Sequence, residues 1–212
     1  APLLAELRRK QPTFAPTAEA VAEVYRQGAG FAAAHAASKG VADRVRRYII
    51  RSREIGIDPR EAELGIQAAA AVGDDPGKWT RAYAETVYRT NISNALMGGM
   101  LQEAREPAYM RVIPAWQYIT AGDDDVRDSP PPGENHRALN LMTRAVDWQG
   151  WSMWLPPGGY NCRCSVRAIS AAELKQRRLV GADGSLSDRL YEPAPAGARF
   201  NPAFQPKTYA RI

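Results

Sequence analysis

The sequence predicts an α+β chain in three regions: a helical module over residues 1–105, a small β-containing core over 106–169, and a short helix with an extended, proline-containing tail over 170–212. Three observations predict it. Apolar residues recur at helical spacing up to Arg105. From residue 106 aromatic, β-prone runs alternate with turn residues. Beyond Gly181 periodicity is lost and Pro193, Pro195, Pro202 and Pro206 appear. With 45% hydrophobic and 24% charged residues in 212, the composition is that of a folded chain. The length suits one ordinary domain, or a helical module joined to a smaller compact one.

The elements follow in order. Ala18–Ala37 is rich in Ala and Glu with Val21, Val24 and Tyr25 on one side, and predicts a helix weakened by Gly28 and Gly30. Val41–Arg53 carries Val41, Val45, Tyr48 and Ile49 at helical spacing. Asp58-Pro59 opens a helix that closes at Gly73-Asp74-Asp75-Pro76-Gly77, because Asp accepts from free backbone N–H groups and Pro suits the first helical position. The longest helix runs from Lys78 to Arg105, with Gly98-Gly99 as a kink or a close-packing point. In the second region Arg111–Ile113 and Trp116–Ile119 predict strands, Asn135–Met142 a short helix, and Asn161–Val166 a strand that puts both thiols on one face. Ser170-Ala171-Ala172-Glu173 is a capping box opening a short helix to about Leu179, and the tail beyond it is expected to lie extended against a neighbour, with a flexible terminus as the alternative.

No run approaches the roughly 18 to 20 apolar residues a membrane helix requires. Ala1–Leu4 followed by Glu6, Arg8, Arg9 and Lys10 lacks the basic-then-apolar order of a secretory signal. A net charge of +5 permits a polyanionic partner without requiring one. The basic stretch Arg44, Arg46, Arg47, Arg51 and Arg53 is the candidate nucleic-acid contact, since guanidiniums along one helix neutralise phosphates without reading bases. A solvated helix face is the plainer account of the same residues. Trp148, Trp151 and Trp154 are expected to pack in the core or an interface, and Glu85 with Arg89 to form an i,i+4 pair.

The two cysteines, Cys162 and Cys164, are one residue apart, so a disulfide between them would close a strained ring and restrain almost nothing. His136 lies in the same small region. Two thiolates and an imidazole are three of the four donors of a structural zinc site. Asp123, Asp124, Asp125, Asp128 and Glu134 are candidates for the fourth, Asp125 first among them, with water as the alternative. The bland account is two small buried apolar cysteines and a loop histidine. Catalysis would need a metal-bound water and a carboxylate base such as Glu134, but the deaminase order of Cys-x-x-Cys with His-x-Glu is missing, as are phosphate loops and dinucleotide fingerprints. A non-enzymatic role is expected.

The run Trp116…Thr120-Ala121-Gly122-Asp123-Asp124-Asp125-Val126-Arg127…His136, then Trp154-Leu155-Pro156-Pro157-Gly158…Asn161-Cys162-Arg163-Cys164, resembles the bacteriophage Mu F-like head morphogenesis family, the minor head proteins. Tyr88-Arg89-Thr90-Asn91 is similar to the family's helix with its Arg-Thr pair, so the resemblance spans about residues 80–167. Two departures are visible: the proline loop Asp128–Asn135 separates Arg127 from His136, and Asn140 stands where a glycine is common. The resemblance implies a low-copy component of the procapsid or virion head near the portal, present in the host cytoplasm during assembly and assisting head assembly and DNA packaging or delivery. Its implied partners are the portal and/or major capsid protein, with non-specific double-stranded DNA as a further candidate. The rival accounts are a nucleic-acid-binding protein outside any virion and a zinc-dependent hydrolase.

Overall fold

A computed structural model describes residues 2–15, 17–28, 30–34, 36–205 and 207. The chain mixes helix and sheet, as an α+β fold requires. Its first part is helical: α1 (Pro2–Arg9), α2 (Ala18–Gln27), α3 (Lys39–Ile55), α4 (Pro59–Ala71) and α5 (Arg81–Ala104), with a two-residue parallel pairing of β1 (Gln11–Pro12) and β2 (Gly30–Phe31) between them. Side-chain oxygens of Thr17, Ser38, Asp58 and Thr80 accept from the first free N–H groups of α2 to α5, which fixes where those helices start. The helix expected to reach Ala37 stops ten residues early. Gly28 adopts φ 71°, a left-handed conformation that closes α2 by turning its N–H back onto Tyr25 and Val24.

The apolar faces of α3, α4 and the first half of α5 meet around Val41, Val45, Ile49, Ile66, Trp79 and Val87. The unforeseen α1 adds Leu7 to this cluster. It lies so close to α5 that a Cβ on Gly98 would stand 2.9 Å from Glu6 Oε1, so the Gly98-Gly99 pair marks close packing. The next residue after α1, Lys10, is buried; its ammonium donates to Asn94 Oδ1 (2.8 Å) and the Gly28 carbonyl and lies 3.6 Å from Glu6. Burial pulls its pKa down to about 8 against the attraction of Glu6. An unfolded lysine, near 10.5, binds its proton more tightly than this one, so stability rises with pH between about 8 and 10.5. Between pH 8 and 9.5 wild type should gain roughly 1.5 kcal/mol more than Lys10→Met, the remaining gain in the variant coming from the similarly buried Lys207, measured by urea denaturation of both proteins at the two pH values.

α6 (Pro107–Val112) occupies the stretch expected to be a strand around Arg111–Ile113. Pro107 suits the first turn of a helix, and Val112 is 63% exposed, so its branched side chain has no sheet to pack on. The sheet has three antiparallel strands in the order β4 (Thr143–Ala145), β3 (Ala115–Ile119), β5 (Ser165–Ile169), with Trp116 facing Arg144 on one side and Ala168 on the other. β5 starts later than expected: Asn161 turns the chain at φ 55°, and pairing begins only where Ser165 meets Ile119. The helix expected over Asn135–Met142 is a single 3-10 turn, Arg137–Leu139, ended by Leu141 at φ 64°. The second half of α5 covers the sheet with Met97, Leu101 and Ala104. Trp151 packs edge-on against both Trp116 and Trp148, as core tryptophans do, in the short helix α7 (Trp151–Trp154).

After α8 (Ala171–Gln176) the tail is extended but seated on its own chain. The Arg144 guanidinium donates to the Glu192 and Pro193 carbonyls (2.8 and 2.6 Å), Asn135 and Arg199 pair through their backbones, and Phe200, Phe204 and Lys207 are buried. Phe204 packs on Tyr25 and Tyr160, which joins the tail to α2.

Candidate metal centre

The fold brings together the three donors that the sequence pointed to. His136 sits just before the 3-10 turn, held by its N–H on the Arg127 carbonyl (2.8 Å). The cis turn at Pro156-Pro157 and the bend at Asn161 return the chain so that Cys162 and Cys164 face it. His136 Nδ1 lies 3.6 Å from Cys162 Sγ and 3.8 Å from Cys164 Sγ, and all three donor atoms fall within 4.8 Å of one another. All three residues are buried, and among the described residues this is the one cluster of three such donors.

The far side of the imidazole is equally determined. Nε2 lies 3.0 Å from Glu134 Oε2, and Glu134 is 3.3 Å from the Arg127 guanidinium, which itself donates to the Tyr160 carbonyl (2.7 Å). A carboxylate at Nε2 favours the tautomer with its proton there, leaving the Nδ1 lone pair aimed at the sulfurs. Burial alone would lower the His136 pKa, but hydrogen bonding to Cys162 and Glu134 outweighs it and holds the ring above its ordinary 6.5. The Cys162 thiol is pulled well below its usual range by a hydrogen bond from Cys164, against burial, with help from His136 and the Gly158 N–H. Cys164 moves the opposite way, held protonated by Cys162 and by burial.

These residues fit a metal ion. Tetrahedral bonds of about 2.0–2.3 Å place neighbouring donors roughly 3.5–3.8 Å apart, which is the spacing of Nδ1 from the two sulfurs. The Tyr118 hydroxyl is buried against Cys164, and burial together with the charge of both cysteines raises its pKa.

Of the carboxylates considered as a fourth donor, three are held by other side chains and two are turned largely to solvent. Arg163, the residue between the cysteines, grips Asp123 through both oxygens (2.5 and 2.6 Å) and lies 3.5 Å from Asp125, whose side chain is 88% exposed. Asp128 pairs with Arg137 at 3.0 Å, Asp124 is exposed, and Glu134 holds the far imidazole nitrogen. Asp125 lines the small cavity beside the three donors without joining their cluster. Sequence reasoning had weighed Glu134 as ligand or base; adjacency in the chain does not say which ring nitrogen a carboxylate will meet.

Sequence reasoning also left the positioning contacts unseen. Asn161 donates its backbone N–H to Thr90 Oγ1 (3.0 Å), and its side-chain oxygen is 3.5 Å from Arg89, which pairs with Glu85 at 2.5 Å as expected. The Arg-Thr pair of α5 therefore holds the turn that delivers the cysteines. Asn tolerates φ 55° better than other side chains, so Asn161→Ala should cost about 1–2 kcal/mol in urea denaturation and Asn161→Gly should recover most of it. Of the basic residues on α3, Arg44 donates to the Ala69 and Val72 carbonyls and Arg46 pairs with Asp43 (3.0 Å). Arg47, Arg51 and Arg53 point outward, the first two near Asp43 (3.3 Å) and Glu54 (3.8 Å).

The family model of Phage Mu protein F like protein matches residues 43–167. Over 91 residues the chain is 34% identical to the putative capsid assembly protein F of Escherichia phage Mu, a stretch that is 43% of this chain and 19% of that protein's length. No solved structure matches the chain. The family match runs from within α3 into β5 and so takes in the Arg89-Thr90 pair, the acidic loop and all three donors, while α1, α2 and the tail lie outside it. More than half of the sequence falls inside that model, and the chain belongs to the Phage Mu protein F like family.

Proposed function

We propose that the chain is a minor head protein: a structural component of the procapsid or virion head near the portal, assisting head assembly and DNA packaging or delivery, with its core stapled by one zinc ion on His136, Cys162 and Cys164. Family membership supports the head-assembly role. The convergence of an imidazole and two thiols, 3.6 and 3.8 Å apart, carries the metal reading. Zinc is the ion that such a nitrogen and sulfur set favours in a tetrahedral structural site. The ion would tie the acidic-loop side of the core to the segment before β5.

The surfaces left for the portal or major capsid protein are the outer faces of the helices and the tail. Contact with double-stranded DNA, where it occurs, runs through Arg47, Arg51 and Arg53 and weakens steeply with salt. In phage-infected cells, the wild-type chain should sediment with head particles and Cys162→Ser and Cys164→Ser should do so at a small fraction of that level. Head incorporation equal to wild type in both variants would count against the reading, and so would a wild-type chain found only free or on DNA.

A further inference from the structure

The donor set shows three protein groups where a tetrahedral ion takes four, and the surroundings decide what completes it. Every carboxylate within the acidic loop and its continuation is held by an arginine, turned to solvent or bound to the other face of His136. The cavity beside the three donors is lined by their own residues together with Ala121, Asp125, Val126, Arg127, Asn161 and Arg163. Two of those side chains are guanidiniums. Tyr118, the buried hydroxyl near the sulfurs, is not in that lining.

We propose that the metal site is open: among the described residues His136, Cys162 and Cys164 are its protein donors, and its fourth position, facing the small cavity that these three line together with Arg127 and Arg163, takes a ligand from solvent. The inference rests on the metal reading above and extends it. Closed four-donor protein sites are the rule for structural zinc, whereas a fourth position left to solvent exchanges ligands. The exchange is a ligand substitution only. Glu134, the nearest candidate for a base, is committed to His136 and Arg127, so no proton-transfer role follows.

The test uses the full chain loaded with Co2+ in place of zinc. Thiolate-to-cobalt charge transfer in the near ultraviolet reports that both cysteines ligate, and the visible d–d bands report the fourth donor. Azide and thiocyanate should each shift the d–d bands saturably, with the charge-transfer band retained, in wild type and in Asp125→Ala alike. Asp125 is exposed, so that variant keeps the fold. An intact charge-transfer band with d–d bands insensitive to both anions would overturn the open site while leaving the metal reading standing. Anion sensitivity gained only in Asp125→Ala would assign the fourth position to Asp125 and overturn it equally. Absence of the charge-transfer band takes down the metal reading and this inference together.

Discussion

Replacing Cys164 with Ser should lower the stability of the metal-loaded protein by about 4 kcal/mol, on the order of 10 °C in melting temperature for a chain of this size. The sulfur lies 3.8 Å from His136 Nδ1 in a buried site, and a hydroxyl is a poor replacement for a thiolate ligand. The loss should depend on the metal. With a strong chelator present, wild type and Cys164→Ser should melt within about 1 kcal/mol of each other, because Cys164 is then one small buried side chain. Thermal denaturation of both proteins with and without chelator checks this. An equal gap under both conditions would mean that the cysteine acts by packing alone.

Phe200→Ala should cost a comparable 3–5 kcal/mol or so, the usual loss for a buried phenylalanine. Phe200 lies in the tail, outside the family match, yet its ring sits 4.7 Å from the His136 ring, 5.5 Å from Trp154 and 6.2 Å from Tyr118. It also lies flat on Gly158, where a Cβ would come within 2.4 Å of it. The ring is thus one wall of the imidazole's pocket, and removing it should weaken metal binding about 10-fold by loosening His136. Urea denaturation and a competition titration with a chromophoric chelator measure the two effects. A Phe200→Ala protein with wild-type stability and affinity would detach the tail from the core.

The convergence of His136 with the two cysteines was legible because it resides in residue types: two thiols one residue apart and a histidine in the same small region already point to a set that could hold a metal. Helices α2 to α5 were legible from period and caps, to within the glycine that ends α2 early. Elsewhere tertiary contacts decided. Leu3, Leu4 and Leu7 do stand at helical spacing, a signal for α1 that the eight-residue length obscured. β4 is three residues long, too short to show alternation. The burial of Phe200, Phe204 and Lys207 leaves no period in an irregular segment, and the choice of Glu134 for Nε2 depends on how the proline loop folds back on His136. Asp125, first choice from the sequence as fourth ligand, lines the cavity beside the three donors but lies 3.5 Å from Arg163, a pairing that nearness along the chain does not reveal.

The most direct measurement is the metal content of the full chain purified without chelator, determined by elemental analysis beside His136→Ala. One zinc per chain in wild type and a content well below that in the variant is the predicted result. A wild-type chain that carries no metal, or a variant that carries as much as wild type, would contradict it.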